Sequence, residues 1–285
     1  MKIHLEALVL ILKSCPLCGT DNGKHLLDAS DDDAFIRNNI KNLIRKFEVV
    51  KCNQCKFVYV KDTFDHQLLQ HSDTIDNDIL EIPTLKYRQW LVYGFLKKIV
   101  GKNKKILEVG CGFGELINYS TQHGLNYTAI EPSVYRSKLL QNLGLSVFTK
   151  TVEQFIEDCS DKYDIVIMDN VLEHVPEPKK ILESLKQLMS DNSNLVIIVP
   201  NLNDIRSKII LKWGKKQWSP IGHVNYFTRK TLVAMLNKSG FSTYSPIYTV
   251  DGCTTKTKIL IMIQLVLAKF KIVPFGLYVF AKKTV

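Results

Sequence analysis

Apolar positions along this chain follow two periods in turn. Short runs of strand-forming residues occur at 106–109, 126–130, 146–149, 163–168 and 194–199, and two more at 244–250 and 276–283. Several are almost continuously apolar, as strands covered on both faces are. Between them the spacing is helical. A helical pattern starts near Glu115; Pro176-Glu177-Pro178 opens another, where proline suits a first turn, with Leu182, Leu185, Leu188 and Met189 on its buried face. Thr228 is placed to cap a helix over 229–240. Upstream, Ile82-Pro83 marks a break, and Tyr87, Trp90, Leu91, Phe95, Leu96 and Val100 give 85–100 a helical stripe. Strands alternating with helices predict an α/β domain built on a doubly wound sheet.

The N-terminal part has a different texture. Cys15-Pro16-Leu17-Cys18-Gly19 and Cys52-Asn53-Gln54-Cys55 are two well-separated Cys-x-x-Cys knuckles. Four thiolates so arranged match a closed tetrahedral zinc site of structural type, leaving no open position for a catalytic water. Strand-like residues flank the second knuckle, Val49-Val50 before it and 57–60 after it, so a small ribbon is expected. Lys56 stands where a glycine often follows the knuckle. His25 reads as a surface residue and the run Asp31-Asp32-Asp33 as a solvated loop. The chain therefore divides into a zinc-ribbon-like unit at 1–62, a helical linker at 63–100 and an α/β domain at 101–285.

Chemistry enters at the first strand of that domain. Residues 104–116 read Lys-Lys-Ile-Leu-Glu-Val-Gly-Cys-Gly-Phe-Gly-Glu-Leu: a strand, a glycine-rich turn and a helix start, the layout that cradles a nucleotide. The dinucleotide pattern fails, because Glu115 occupies its sixth position. What stands is Glu108-x-Gly110-x-Gly112-x-Gly114, with Cys111 between the first two glycines. Glu131 ends the second strand and is followed by Pro132. Its separation from Gly110 is the one at which an acid in doubly wound folds holds ribose hydroxyls.

These residues, with Thr151-Val152-Glu153 after the third strand and Asp169-Asn170-Val171-Leu172-Glu173-His174-Val175 after the fourth, resemble the ordered motifs of class I S-adenosylmethionine-dependent methyltransferases. The resemblance implies a Rossmann-like seven-stranded sheet over 101–285 and S-adenosylmethionine as cofactor. It implies a cofactor site of Glu108, Gly110, Cys111, Gly112, Gly114, Glu131, Pro132, Val152, Asp169 and Asn170. In this family a helix before the first strand often covers the cofactor, which would bring Tyr87 and Arg88 to the border. Core packing for the aromatics and a surface place for Arg88 is the plainer expectation.

Methyl transfer to a hydroxyl needs a proton removed, and histidine suits that near neutral pH. Two candidates stand near the methyl's expected position: His174 after the fourth strand, and His223 at the end of a basic insertion at about 203–225. The stretch 223–228 resembles a segment of zinc-containing sugar C-methyltransferases in which histidine acts beside glutamate. Here Gly222 replaces that glutamate, which makes O-methylation the simpler expectation, with His223 as the base. The combination of four-cysteine unit, class I core and basic insertion resembles bacterial sugar and surface-polysaccharide methyltransferases. It implies a small-molecule or a nucleotide- or lipid-linked sugar as acceptor.

Composition bounds these expectations. The net charge of +10 is confined to the last third, with balances of +1, −3 and +12 over residues 1–100, 101–200 and 201–285. Such a field favours an anionic partner, whether a phosphate-bearing substrate, an acidic membrane face or RNA. Residues 259–268 form an apolar run with basic flanks, suited to core packing or to the inner face of a membrane. An RNA base methyltransferase is the competing expectation. Against it stand the nearly neutral ribbon and the absence of an Asn-Pro-Pro-Tyr motif. A third possibility is a non-catalytic S-adenosylmethionine-binding protein. Paired cysteines point to a reducing cytoplasm. The apolar run at 7–12 is too short for a signal peptide, and no stretch reaches the length of a membrane span.

Overall fold

A computed structural model of the chain describes residues 9–12, 14–29, 47–64, 82–99, 103–204, 222–245 and 276–284, together with 255, 258, 259 and 263. Most of the basic insertion, most of the 259–268 run, and residues 65–81 and 246–250 lie outside the described residues.

The main sheet has seven strands. In chain order they are β6 (Lys105–Val109), β7 (Asn126–Ile130), β8 (Val147–Phe148), β9 (Tyr163–Asp169), β10 (Met189–Pro200), β12 (Phe241–Tyr244) and β13 (Gly276–Lys283). Across the sheet the order is β12-β13-β10-β9-β6-β7-β8. The five strands from β8 to β10 are parallel, and β13 runs antiparallel between β10 and β12. The chain winds outward through β6, β7 and β8, then returns to place β9 on the other side of β6. The crevice at the carboxyl ends of β6 and β9 is thus a topological switch point, where ligands bind in open α/β sheets. The seven-stranded class I methyltransferase architecture expected from the motifs is the one observed.

Alternation along the strands splits the core into two layers. Leu107, Val109, Val166, Met168, Leu195 and Ile197 face one side, against helices α4 (Val152–Asp158), α5 (Pro178–Leu185) and α6 (Arg229–Lys238). Ile106, Ile165, Ile167, Val196 and Ile198 face the other, against α1 (Tyr87–Ile99), α2 (Glu115–Gln122) and α3 (Val134–Asn142). Thr228 caps α6 in a reciprocal pairing with Thr231. That helix ends at Lys238, because Gly240 takes a left-handed turn (φ 81°) and leads straight into β12. The sixth strand consequently begins at Phe241 rather than at 244.

The N-terminal residues form two further sheets. β1 (Val9–Ile11) pairs antiparallel with β5 (Asp62–Phe64). β2 (Gly23–Ala29), β3 (Phe47–Cys52) and β4 (Val58–Val60) make a ribbon. A fourth strand completes it from far along the chain: β11 (Asn225–Tyr226) pairs with β4, Asn225 opposite Tyr59. Cys15, Leu17, Val50, Cys52, Phe57 and Tyr59 belong to the same buried cluster as Leu107 and Leu232, and the Phe57 and Phe227 rings lie 5.3 Å apart. The ribbon is therefore packed into the main core and hydrogen-bonded to the segment that follows His223.

Candidate active site

The cysteine knuckles form as their spacing demands. Gly19 N–H donates to the Cys15 carbonyl and Lys56 N–H to that of Cys52. Gly19 and Lys56 both take left-handed backbone, at φ 76° and 64°. Lysine thus accepts a conformation that favours glycine. The turn forms without the expected glycine, held by the Lys56 ammonium donating to the Asn53 carbonyl. Cys15 and Cys55 Sγ are 3.5 Å apart, as are Cys18 and Cys52 Sγ, and all four sulfurs lie within 4.8 Å of one another. Tetrahedral zinc with bonds of about 2.3 Å would set them about 3.8 Å apart, so the cluster fits that ion. His25 stands away from it, exposed and paired with Asp28 at 2.9 Å.

At the switch point lies a cavity of about 600 Å³. Its floor is the turn after β6. Gly110 sits at φ 71°, and a Cβ there would come within 2.6 Å of Val171 Cγ2; at Gly112 (φ 58°) a Cβ would meet nothing within 4 Å, since that position faces open space. Gly112 N–H donates to Glu131 Oε2 at 2.8 Å, and Ser133 N–H to Oε1 at 3.0 Å. Those two bonds lock the carboxylate that ends β7 over the glycine turn. Burial pushes the Glu131 carboxyl up, against the pull of the Ser133 amide, Arg136 and the Gly112 amide.

Asp169, ending β9, faces the same space. Arg88 on α1 puts Nε 2.9 Å from both of its oxygens. Burial raises the Asp169 carboxyl, opposed by Arg88. Asn170, left-handed at φ 55°, hangs from β10 through its N–H to the Ile198 carbonyl. Glu108 is buried in mid-strand and receives the Tyr127 hydroxyl at 3.1 Å; burial, then Asp169, hold its carboxyl well above the usual range. Glu115 meets Lys86 at 3.2 Å. Four buried carboxyls and a glycine floor thus line one cavity, with Lys86, Arg88, Arg136, Lys150 and Lys180 also on its walls, a fit for a zwitterionic ligand bearing a nucleoside.

Of the residues expected at the cofactor, Glu108, Gly110, Cys111, Gly112, Glu131, Pro132, Val152, Asp169 and Asn170 line this cavity. Gly114 does not. It packs under the turn, where a Cβ would fall 2.5 Å from Leu140 Cδ2. Arg88 and Gln89 from α1, and Lys86 just before it, line the cavity as well. The surface place expected for Arg88 is thereby corrected. Its partner is a buried carboxylate far along the chain, which no local pattern reveals.

The two histidines meet at the cavity's edge. His174 lies on the one-turn 3₁₀ helix Leu172–His174 and lines the cavity. Its ring centroid is 4.8 Å from that of His223, edge to face. His174 Nδ1 lies 2.5 Å from the Gly222 carbonyl. Since a carbonyl only accepts, that nitrogen carries the proton and Nε2 holds the lone pair. Burial lowers the His174 pKa; burial and then His174 push His223 down to about 4. Both shifts disfavour the charged imidazolium. The backbone around them is tied twice, Val224 N–H donating to the Glu173 carbonyl and Val60 N–H to the Val224 carbonyl, each at 2.9 Å. The Asn225 amide also donates to the Val175 carbonyl at 2.6 Å. Nothing local in the sequence signals that the ribbon braces this histidine.

Among the described residues no helix is long and apolar enough to cross a membrane. Over 102 residues the chain is 34% identical to a ubiquinone biosynthesis O-methyltransferase of Actinobacillus pleuropneumoniae serotype 7 (strain AP76), covering 32% of this chain and 44% of that protein. Over 106 residues it is 32% identical to the protein of that name from Cronobacter sakazakii (strain ATCC BAA-894), covering 35% and 44%. The chain thus spans less than half the length of these relatives. Among solved structures, it is similar to a SAM-dependent methyltransferase from Archaeoglobus fulgidus, with 21% identity and a TM-score of 0.48 over 68% of this chain and 94% of that one. Residues 86–245 match a family model described as a methyltransferase domain. With that match over more than half its length, the chain belongs to the methyltransferase-domain family, and its seven-stranded sheet is the Rossmann-like fold of class I S-adenosylmethionine-dependent methyltransferases.

Proposed function

We propose that this protein O-methylates a hydroxyl of a small or carrier-linked acceptor, a sugar being the simplest such molecule. The observation that carries this reading is the pair of edge-to-face imidazoles, His174 and His223, at the edge of the carboxyl-lined cavity. Bound S-adenosylmethionine supplies the methyl group on its sulfonium. Glu131, already fixed by two backbone amides, has lone pairs left for the ribose hydroxyls. Gly110 and Gly112 would let the cofactor approach the backbone, and Pro132 and Val152, which line the same cavity, would border its base. Asp169 and Asn170, on the same cavity wall, would face its cationic end. The acceptor comes in over His174, where the imidazole pair lowers the cost of losing the hydroxyl proton.

The basic last third supports an acceptor carrying phosphate. The O-methyltransferase names of the partial relatives agree with oxygen as the acceptor atom. Zinc in the four-cysteine cluster belongs to the same proposal, as a structural ion. Incubation with methyl-labelled cofactor and fractionated cell extract tests the reading. Label is expected in a glycan or a nucleotide- or lipid-linked sugar, released as methoxyl. Label in RNA would overturn it.

A further inference from the structure

Glu173 is out of place if its neighbourhood is only protein. It is 1% exposed, and among the described residues neither carboxylate oxygen has a hydrogen-bond partner. A buried carboxyl left in that state costs several kcal/mol unless something compensates it. Its Oε1 lies 3.9 Å from His174 Nε2. One ligand atom each from Glu173, His174 and His223 falls within 4.8 Å of the others. A first-row divalent ion bonded at about 2.1 Å to nitrogen and oxygen needs only a small closure of that triangle.

Two details favour an ion over a water. The His174 Nδ1–H is committed to the Gly222 carbonyl, which aims the Nε2 lone pair inward; metal-bound histidines are fixed by that kind of backbone contact. The third side chain arrives on a rigid mount, because the Val224 backbone is bonded to both Glu173 and the ribbon residue Val60. Two distant chain segments are thereby built into one donor set.

We propose that Glu173, His174 and His223 bind a divalent cation, a site separate in place and chemistry from the four cysteines. Two imidazoles and one carboxylate leave coordination positions open, unlike a four-thiolate site. An acceptor oxygen can take one of them. This consequence rests on the hydroxyl-acceptor reading: the hydroxyl proton passes to a metal-bound hydroxide and leaves as water. The bound oxygen then attacks the methyl carbon, the C–O bond forms as the C–S bond breaks, and sulfur keeps the electron pair. The two histidines act here as ligands, so neither need be a base near pH 7.

The test uses the full chain with its cysteine site zinc-loaded, titrated with Mn²⁺ and followed by the loss of the free-ion electron paramagnetic resonance signal. One Mn²⁺ per chain is expected in the micromolar range. Glu173→Gln and His223→Ala should each weaken it by about 10–100-fold, whereas Cys18→Ser should leave it unchanged. Retained S-adenosylmethionine binding identifies the variants that remain folded, and His223→Gln replaces any that do not. No Mn²⁺ uptake below about 1 mM, or uptake unaltered in both variants, would overturn the site. Methyl transfer to oxygen that is insensitive to added Mn²⁺ or chelator would overturn the catalytic role while sparing the acceptor assignment. Mn²⁺ binding with label found only in RNA would keep the site and remove the hydroxyl reading.

Discussion

Arg88 and Asp169 are far apart in sequence, yet Arg88 Nε lies 2.9 Å from both Asp169 oxygens. One comes from the helix before the sheet and the other from the end of β9, so their pairing fastens α1 across the cofactor cavity. The Asp169 side chain is 5% exposed and that of Arg88 23%. Removing the arginine strands a buried carboxylate. Arg88→Ala is expected to lower stability by about 1–3 kcal/mol, the lower part of the range reflecting the arginine's exposure. Thermal unfolding measures this directly. An unchanged melting temperature would show that α1 is held by its apolar face alone.

The cofactor's anchor gives a sharper number. On the proposed role of Glu131, Glu131→Ala removes charge-assisted hydrogen bonds to ribose, and it frees the Gly112 and Ser133 amides. Affinity for S-adenosylmethionine should fall by about 1.5–3 kcal/mol, roughly 10- to 150-fold. Calorimetry on the purified protein reads it. Equal affinity in the variant would take Glu131 out of the site.

Gly110 tests the turn itself. Alanine there is strained by φ 71° and clashes with Val171 at 2.6 Å. Gly110→Ala should cost about 2–4 kcal/mol. In a Val171→Ala background the clash is gone and about 1–2 kcal/mol of backbone strain should remain. Denaturant melts of the four proteins separate the two contributions. A cost that is the same in both backgrounds would mean that Val171 simply moves aside.

The four-cysteine cluster should carry one zinc per chain, lost on Cys18→Ser or Cys52→Ser. The ribbon shares β11 with the segment after His223, so its loss should not stay local. Limited proteolysis is expected to reach the N-terminal unit, and turnover to fall, with S-adenosylmethionine affinity nearly intact. Zinc analysis and calorimetry on one preparation check both. Wild-type protein without zinc would end the assignment.

Much of this architecture was legible because it is local. Strands β6, β7, β9 and β13 show themselves as apolar runs, and the glycine turn and Glu131 stand at fixed separations along one βαβ unit. The knuckles are legible for the same reason. What escaped was long-range. β2 has no apolar alternation to mark it, since Lys24, His25 and Asp28 interrupt Gly23–Ala29. β11 is two residues long and becomes a strand only because β4 offers it an edge. Glu173 reads in sequence as one acid within a motif. Only the fold shows it buried beside two imidazoles, without a hydrogen-bond partner among the described residues.

His223 separates acceptor activation from cofactor binding. Its backbone neighbour Val224 is held from both sides, by Glu173 and by Val60, so truncating the imidazole should leave the segment in place. The cofactor cavity is lined by His174 but not by His223. His223→Ala is therefore expected to cut turnover by about 10²–10⁴-fold while leaving S-adenosylmethionine affinity nearly unchanged. His174→Ala should disturb both, because it removes cavity wall as well as the bond to Gly222. Steady-state kinetics with the identified acceptor, paired with calorimetry, distinguishes the two patterns. If His174→Ala loses turnover alone and His223→Ala keeps it, the roles are exchanged. If both variants turn over normally, the imidazole pair has no part in activating the acceptor. A nucleophile that needs no such help, such as an amine, would then replace the sugar hydroxyl.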